Sequence, residues 1–476
     1  MWITIDRQSQ LTLARQIYKQ ICQMILNGTL ESGHRLPSTR KLSSDLSVSR
    51  NTVIEAYSQL IAEGYLNTYK GSGTVVAEGL HALDSGVSFN QNPAPKQDKI
   101  QLPKEMIDFR TGIPALEYFP RKEWGNLYRE ICNQIPACAF GYCSTSGVWE
   151  LRVTIAQYLY RTRGLTCDPA QVVITSGSTQ GLSLISHILQ DKQKVVLTED
   201  PSHAGLRKVI TTAGCFIEGI SVDDKGLRTE LLDIPRQVSF IYTTPSHQYP
   251  MGSILPIKRR LDLVRYAEQN NCYIVEDDYD SEFRYKGKPI PALQGMDGRN
   301  RVIYYGTFSK SIAPAIRVSY MVLPGPLLAV YRERMNFFAS TVSRIDQNIL
   351  YQFMAEGYYE RHLNRMRAVY KAKHDTLAAG LKPFESQFLI RGEHAGLHLL
   401  LSDRKGRAEN QLINMAAKSG VKVYGMSGYF IHEQHNTYPS TIVLGFASLT
   451  EEEIRTGLAL LCQAWSVDDG KEDFCV

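Results

Sequence analysis

Apolar residues in the first 78 positions recur with the spacing of short amphipathic helices and then of a hairpin. In the first such segment, Leu13, Ile17 and Ile21 fall on one helical face, and Gly28 ends the pattern. Continued along the chain, this spacing predicts helices at 12–27, 39–46 and 50–63, and a β-hairpin whose tip is residues 70–73. The order helix, helix, turn, helix and hairpin is typical of a winged helix-turn-helix.

The larger part of the chain places apolar strand patterns next to helical patterns, which is typical of an α/β fold. Residues 172–175 and 272–275 read as buried parallel strands, because neither shows the polar alternation of a strand with one solvated face. A helical pattern follows the first of them at 182–189. The sequence therefore predicts a multidomain protein, with a mainly α head that carries a β wing and a larger α/β part.

The two parts are separated by a segment in which Gly, Pro, Asn and Gln interrupt every periodicity. We predict domain boundaries at 1–78 and 106–476, with residues 79–105 as a linker. A flexible chain of about 27 residues spans tens of ångströms on random-coil scaling. The head could then lie away from its own larger domain, even over a partner subunit.

Composition narrows the class of protein only a little. The formal net charge is +5 over 476 residues, so strong nonspecific attraction to nucleic acid is not expected. The nine cysteines occur singly, without metal-ligand spacing, and predict reduced thiols and no metal site. The sequence has no apolar run of membrane-spanning length and no signal-peptide pattern, which predicts a cytoplasmic protein.

The segment 306–317 carries the strongest candidate chemistry. Lys310 can bond an aldehyde, provided that desolvation and nearby cations lower the pKa of its amine. The hydroxyls of Thr307 and Ser309, together with the Arg317 guanidinium, can hold a phosphate through charge-assisted hydrogen bonds. The pattern therefore favours an aldehyde cofactor with a phosphate, although an ordinary Ser/Lys loop is the alternative.

Acidic residues follow the predicted strand 272–275. Strands in α/β sheets deliver ligand-binding residues at their carboxyl edge, and residues two apart share a face there. We expect Asp277 to meet a pyridine ring nitrogen and Tyr279 a 3-hydroxyl. The alternative is a solvated acidic loop, which would not explain the apolar strand before it.

The strand 172–175 runs into a turn of small residues and then a helix. Backbone amides at such a helix start can bind phosphate, which makes Ser178 and Thr179 candidate ligands. Ser and Thr at a helix start can also serve only as caps.

These three segments, in this order, resemble the fold-type I pyridoxal 5'-phosphate (PLP) enzymes, specifically the class I and II aminotransferases, over roughly residues 108–465. The resemblance implies PLP as the cofactor and an aminotransferase-like α/β domain. It also implies that His203 stacks on the cofactor ring, and that Tyr142 reaches the cofactor phosphate of a partner subunit.

The head resembles the GntR family, whose LPS-x-R-x-L and S-R-x-T-V pattern lies at 36–53. The last helix of such a head enters the major groove of DNA with its N-terminal residues. The predicted DNA-binding residues are Arg40, Lys41, Ser49, Arg50, Asn51, Thr52, Lys70 and Gly71. Glu55 departs from the pattern, because some relatives place a DNA-contacting arginine there, and a protein-binding head is the alternative.

A GntR-type head joined to an aminotransferase-like domain is similar to the MocR-type transcriptional regulators, closest to their pyridoxine- and GABA-responsive branch. The resemblance implies a head-to-tail homodimer that binds a double-stranded DNA operator with two half-sites and responds to a small-molecule effector. The GABA-responsive member holds a carboxylate with two arginines, and the aligned positions here are Gly205 and Gly428. Arg207 or Arg344 could supply that clamp instead.

We therefore expect PLP itself to be the effector, in a regulator of vitamin B6 synthesis genes with weak transaminase activity at most. Three alternatives stay open. One is a regulator that senses an amino acid as an external aldimine, and another is a working PLP-dependent aminotransferase. The third is a repressor whose aminotransferase-like domain serves only for dimerisation, in which Lys310→Ala would leave regulation unchanged.

Overall fold

The computed structural model describes residues 3–69, 73–79, 106–191, 193–285, 290–335, 340–393, 395–432 and 438–467. The chain separates into two compact units, Met1–Leu102 and Pro103–Val476. Nearly all of the predicted linker lies outside the described residues, so the predicted domain boundaries stay predictions.

The smaller unit is a helical head with a hairpin, as the hydrophobic spacing predicted. Its elements are α1 (Leu13–Leu26), α2 (Thr39–Asp45), α3 (Arg50–Ala62), β1 (Leu66–Tyr69) and β2 (Gly73–Val76), and the two strands pair antiparallel. Each helix starts after a residue whose hydroxyl accepts a backbone N–H: Thr12, Ser38 and Ser49. Ile17 of α1 and Val53 of α3 are fully buried where the helices meet. The predicted winged helix-turn-helix architecture is confirmed.

The larger unit is an α/β domain. Its first half contains β3 (Ile107–Asp108), α4 (Arg121–Gln134), α5 (Trp149–Arg163), β4 (Val172–Thr175), α6 (Ser178–Ile188), β5 (Val195–Asp200), α7 (Ala204–Thr212), β6 (Phe216–Asp223), β7 (Gly226–Leu227), β8 (Val238–Thr243) and α8 (Ile257–Gln269). Its second half contains β9 (Tyr273–Asp278), β10 (Val302–Thr307), β11 (Ser319–Val322), α9 (Gly325–Met335), α10 (Arg344–Ala355), α11 (Tyr358–Leu381), β12 (Phe388–Arg391), β13 (His398–Asp403), α12 (Glu409–Lys418), β14 (Val421–Lys422), β15 (Tyr424–Gly425), β16 (Thr441–Gly445) and α13 (Glu451–Ala464).

An eight-stranded sheet of order β4-β11-β10-β9-β8-β5-β6-β7 forms the centre of this unit. Strands β10, β9, β8, β5 and β6 run parallel to one another. Strand β4 shares their direction, because β11 lies antiparallel between β4 and β10. The carboxyl ends of these strands therefore meet at one edge of the sheet, the edge at which α/β folds bind ligands.

Both faces of the sheet are covered, which explains why its central strands are apolar throughout. Val275 of β9 packs in the cluster that contains Leu182 of α6, whereas its neighbour Ile274 packs in the cluster that contains Leu263 of α8. Successive strand residues point to opposite faces, so one apolar strand supplies both clusters.

A smaller sheet of order β12-β13-β16-β15 lies in the C-terminal part of the chain. Leu399 of β13 and Leu444 of β16 pack against Leu458 of α13 and the fully buried Trp465. Among the residues that the structure describes, no helix is both long and apolar enough to cross a membrane. Among the described cysteines, Cys272 is buried and Cys138 is exposed.

Candidate functional site

A cavity of about 370 Å³ opens at the carboxyl edge of the large sheet. Its lining includes nine residues that the sequence had singled out, namely Ser178, Thr179, His203, Asp277, Tyr279, Thr307, Ser309, Lys310 and Arg317. Loops after β4, β5, β9 and β10 bring them together, because these strands end at the same edge. The volume lies within the range of about 300–1,000 Å³ that is usual for small-molecule sites.

Lys310 lies three residues beyond the end of β10, and its Nζ donates a hydrogen bond to the carbonyl oxygen of Gly112. Burial lowers the pKa of the Lys310 ammonium, and the negative charges of Asp280 and Asp277 oppose this effect. A lowered pKa enlarges the neutral fraction of the amine, which is the form that attacks an aldehyde.

Asp277 is buried near the carboxyl end of β9, where it faces the cavity. Its Oδ2 accepts a hydrogen bond from the hydroxyl of Tyr242 on β8, whereas its Oδ1 is buried without a hydrogen-bond partner in the described part of the chain. Burial raises the pKa of Asp277 to about 7. A buried carboxylate oxygen without a donor favours a ligand that brings an N–H to this position.

The other two acids of this strand are structural. The sequence placed the strand end at residue 275, but β9 continues to residue 278 and buries all three carboxylates. Glu276 accepts the backbone N–H groups of Leu293 and Gln294, at 2.7 and 2.9 Å. Asp278 pairs with Arg163 at 2.7 Å. The solvated-loop alternative is therefore wrong, and in this strand only Asp277 lines the cavity.

The part of the cavity that Ser178 and Arg317 line, called the phosphate end below, suits a phosphate. Helix α6 begins at Ser178 after Gly177, and no side chain caps its first turn. Gly177 has φ +92°, and any side chain there would collide with the guanidinium of Arg317. Arg317 donates to the carbonyl oxygen of Ser176 at 2.8 Å, which holds it beside the helix start. Backbone amides at a helix start and a guanidinium are groups that bind anions, so we expect an anion here.

Thr307 and Ser309 complete this end. Oγ1 of Thr307 accepts the backbone N–H of Ser309 at 3.1 Å and lies 2.9 Å from the Ser319 hydroxyl. These contacts fix the conformation of the loop that carries Lys310. The distance between the Lys310 amine and the hydroxyl groups of Thr307 and Ser309 is therefore fixed as well.

His203 caps α7 at the mouth of the cavity, where its Nδ1 accepts the N–H of Leu206 at 3.3 Å. Partial desolvation, then the charges of Lys310 and Arg207, lower its pKa. The ring is therefore neutral near pH 7, and it forms part of the cavity lining. Its centroid lies 5.6 Å from that of Tyr249, an aromatic residue that sequence reasoning missed.

The arginines proposed as alternative carboxylate clamps are engaged elsewhere. Arg207 donates to the carbonyl oxygen of Ser202 at 2.8 Å and to the carbonyl oxygens of residues 428–430. Arg344 donates to the carbonyl oxygen of Cys138 at 3.3 Å. Among the described residues, neither arginine lines the cavity, whereas Arg317 does.

Tyr142 is the predicted cofactor residue that does not line this cavity. Its side chain is 95% exposed within the subunit. A tyrosine presented in this way cannot contribute to its own cavity, so its predicted role in a partner's site stays a prediction.

The head presents most of its predicted DNA-binding residues on its surface. Arg40, Lys41, Ser49, Arg50 and Asn51 are exposed and Thr52 is half-buried, while Lys70 and Gly71 lie outside the described residues. Ser49 caps α3 by accepting the N–H of Thr52 at 3.1 Å. The start of α3 therefore offers a cap hydroxyl, a guanidinium and an amide side by side, which suits phosphate and base contacts.

A winged helix-turn-helix head joined to an α/β domain with this cavity indicates the class of DNA-binding regulators that carry an aminotransferase-like domain. Two family models agree with this division. Residues 13–76 match the gntR family of bacterial regulatory proteins, and residues 133–461 match the aminotransferase class I and II family. The chain therefore belongs to the MocR-type branch of the GntR family, in which the two are fused.

Known proteins are similar over nearly the whole length. The transcriptional regulator YdeL of Bacillus subtilis is 37% identical over 97% of this chain and 99% of its own. The pyridoxine biosynthesis regulator PdxR of Corynebacterium glutamicum is 32% identical over 98% of each. Among solved structures, an archaeal alanine:glyoxylate aminotransferase is 28% identical, with a TM-score of 0.70 over 76% of this chain and 91% of that one.

Proposed function

We propose that this protein is a homodimeric regulator whose cavity binds PLP as its effector and thereby controls genes of vitamin B6 synthesis. One observation carries the proposal. The cavity combines a lysine of lowered pKa, a buried carboxylate oxygen without a donor, and an uncapped helix start beside an arginine. These are the complements of an aldehyde, a protonated ring nitrogen and a phosphate, and PLP carries all three.

The fit can be followed residue by residue. Oδ1 of Asp277 would accept the ring N–H, and Tyr242 would keep the carboxylate oriented. Ser178, Thr179, Ser309 and Arg317 would hold the phosphate, with Thr307 supporting the loop. When bound, PLP supplies an aldehyde carbon that an amine can attack with loss of water.

Lys310 would be that amine. Burial lowers the pKa of its ammonium group, which enlarges the fraction of neutral amine. The flat face of His203 would cover the ring on one side, since this neutral imidazole lies at the mouth of the cavity.

PLP itself, and not an amino acid, is proposed as the effector because the arginines considered for a carboxylate clamp have other partners. A desolvated carboxylate without a partner costs several kcal/mol, so an amino-acid sensor needs a guanidinium near the ligand. Glycine occupies both aligned clamp positions, 205 and 428. Arg207 is engaged with backbone carbonyl groups, and Arg317 belongs to the phosphate end. The name of the corynebacterial relative, a pyridoxine biosynthesis regulator, points the same way.

Regulation requires that the ligand bind two arrangements of the protein with different affinity. Two heads in a homodimer would read two half-sites, because a two-fold assembly presents its recognition helices in pairs. Tyr142, exposed in the single subunit, would then lie at the cofactor phosphate of the partner.

Titration of ligand-free protein with PLP tests the proposal. We expect visible absorbance that saturates at one PLP per subunit in the wild type and is absent in Lys310→Ala. The matched control Lys371→Ala alters an exposed lysine on α11 and should behave as wild type. Tight binding of an ordinary amino acid to the PLP-loaded protein would instead favour an amino-acid sensor, and turnover of many amino donors would favour an enzyme.

A further inference from the structure

His247 forms a buried group with Asp280 and Tyr279 against one wall of the cavity. Its Nδ1 lies 2.9 Å from Oδ2 of Asp280 and 2.9 Å from the hydroxyl of Tyr279. The side chains of His247 and Asp280 are each only 3% exposed. Tyr279 and Asp280 line the cavity, and His247 lies behind them.

The geometry assigns the protons. Nδ1 carries at most one proton, and an ionised carboxylate only accepts, so Nδ1 must donate to Asp280. Tyr279 therefore cannot give its own proton to that nitrogen. The phenol of Tyr279 also keeps its proton, because burial and then the charge of Asp280 raise its pKa well above its usual value.

Other groups around His247 do not compete for this proton. Nε2 has no hydrogen-bond partner within the described ranges, which suits a lone pair better than an N–H group. The His398 ring lies 5.7 Å away, centroid to centroid, and its Nε2 faces the carbonyl oxygen of Pro250 at 2.8 Å. Arg163 and Arg284 line the same small space as His247, and their guanidinium groups can donate protons but not accept them.

We propose that His247 and Asp280 are positioning residues that keep the Tyr279 hydroxyl a hydrogen-bond donor toward the cavity. The site then selects aldehydes that carry an acceptor oxygen beside the aldehyde carbon, as the 3-oxygen of PLP does. This inference rests on the proposed function and adds to it the residues that specify this feature of the ligand.

Binding of two ligands to three proteins tests the inference. The ligands are PLP and 3-deoxy-PLP, and the proteins are the wild type, His247→Phe and His247→Asn. We expect His247→Phe to weaken PLP binding about tenfold and to leave 3-deoxy-PLP binding unchanged. The hydrogen bond from the Tyr279 hydroxyl to the 3-oxygen would be lost, and a hydrogen bond to a charged group contributes about that much to affinity. His247→Asn should restore much of the PLP affinity that His247→Phe loses, because the asparagine amide can donate a hydrogen bond to Asp280.

His374→Asn is the matched control, since this buried histidine stacks on Tyr285 and does not line the cavity. Should His247→Phe fail to fold, His247→Leu takes its place. Equal weakening of both ligands, or no weakening of either, would overturn the inference. Failure of the wild type to bind PLP at all would overturn the proposed function instead, so the two failures are distinguishable.

Discussion

The hydroxyl of Tyr242 donates to one carboxylate oxygen of Asp277, and the other oxygen is buried with no donor among the residues that the structure describes. The two residues lie on neighbouring parallel strands, β8 and β9, near their carboxyl ends. The pair orients the carboxylate of Asp277, a residue that lines the cavity. We expect this arrangement to favour ligands with a protonated ring nitrogen.

The first prediction concerns Asp277. Asp277→Asn should weaken PLP binding about 10- to 100-fold, because a charge-assisted hydrogen bond to the ring nitrogen is replaced by a neutral one. Equilibrium titration by absorbance measures the effect. The control Asp375→Asn changes an exposed acid on α11 and should leave binding unchanged. Equal affinity in all three proteins would contradict the assignment.

The second prediction concerns pH and stability without ligand. The pKa of Asp277 is raised to about 7 in the fold, so its contribution to stability is fully present below about pH 4 and is lost as pH rises to about 7. The loss is at most about 4 kcal/mol, since one pKa unit corresponds to about 1.4 kcal/mol. Asp277→Asn should therefore gain stability relative to wild type between pH 5 and pH 8. If the melting temperatures of the two proteins differ by the same amount at every pH in this range, the raised pKa of Asp277 is contradicted.

The third prediction concerns the phosphate end of the cavity. Arg317→Gln should weaken PLP binding by about tenfold or more while changing the binding of pyridoxal little, because pyridoxal has no phosphate. Competition between the two ligands measures this selectivity. Arg332→Gln, on α9 and outside the cavity lining, is the control. Equal loss for both ligands would mean that Arg317 acts only on the fold.

The fourth prediction concerns DNA. Arg50→Ala should weaken operator binding and lower its dependence on salt by about one unit of slope, as expected when one phosphate contact is lost. Asn51→Ala should relax preference among bases and change the salt slope little. Arg15→Ala, on α1, serves as the control. Binding measured by anisotropy at several salt concentrations separates these outcomes.

The fifth prediction uses hybrid dimers of Tyr142→Ala and Lys310→Ala. If Tyr142 serves the partner's site, a hybrid that carries one change per subunit has one intact site. PLP should then bind half of the subunits with wild-type affinity. A hybrid without any wild-type site would show that Tyr142 does not act across the subunits.

Local sequence patterns predicted much of the fold and several of the residues that line the cavity. The apolar strand before residue 276 and the helix start at Ser178 are local signals, so they located Asp277 and the phosphate end. The sequence placed the end of β9 three residues too early, because carboxylates usually mark the end of a buried strand. Here buried partners such as Arg163 allow carboxylates inside the sheet.

The site residues that the sequence did not predict, Tyr242 and His247, make contacts with residues far away in the chain. Tyr242 meets Asp277 across 35 positions, and His247 meets Asp280 across 33. Nothing near either residue in the sequence indicates the contact, since strand order alone makes β8 and β9 neighbours.

The most direct test of the account is footprinting of DNA upstream of the protein's own gene, with and without PLP, using wild type and Lys310→Ala. The account predicts that PLP changes the occupancy or extent of the wild-type footprint and leaves the Lys310→Ala footprint unchanged. Identical wild-type footprints in the two conditions, with absorbance showing that PLP is bound, would contradict it.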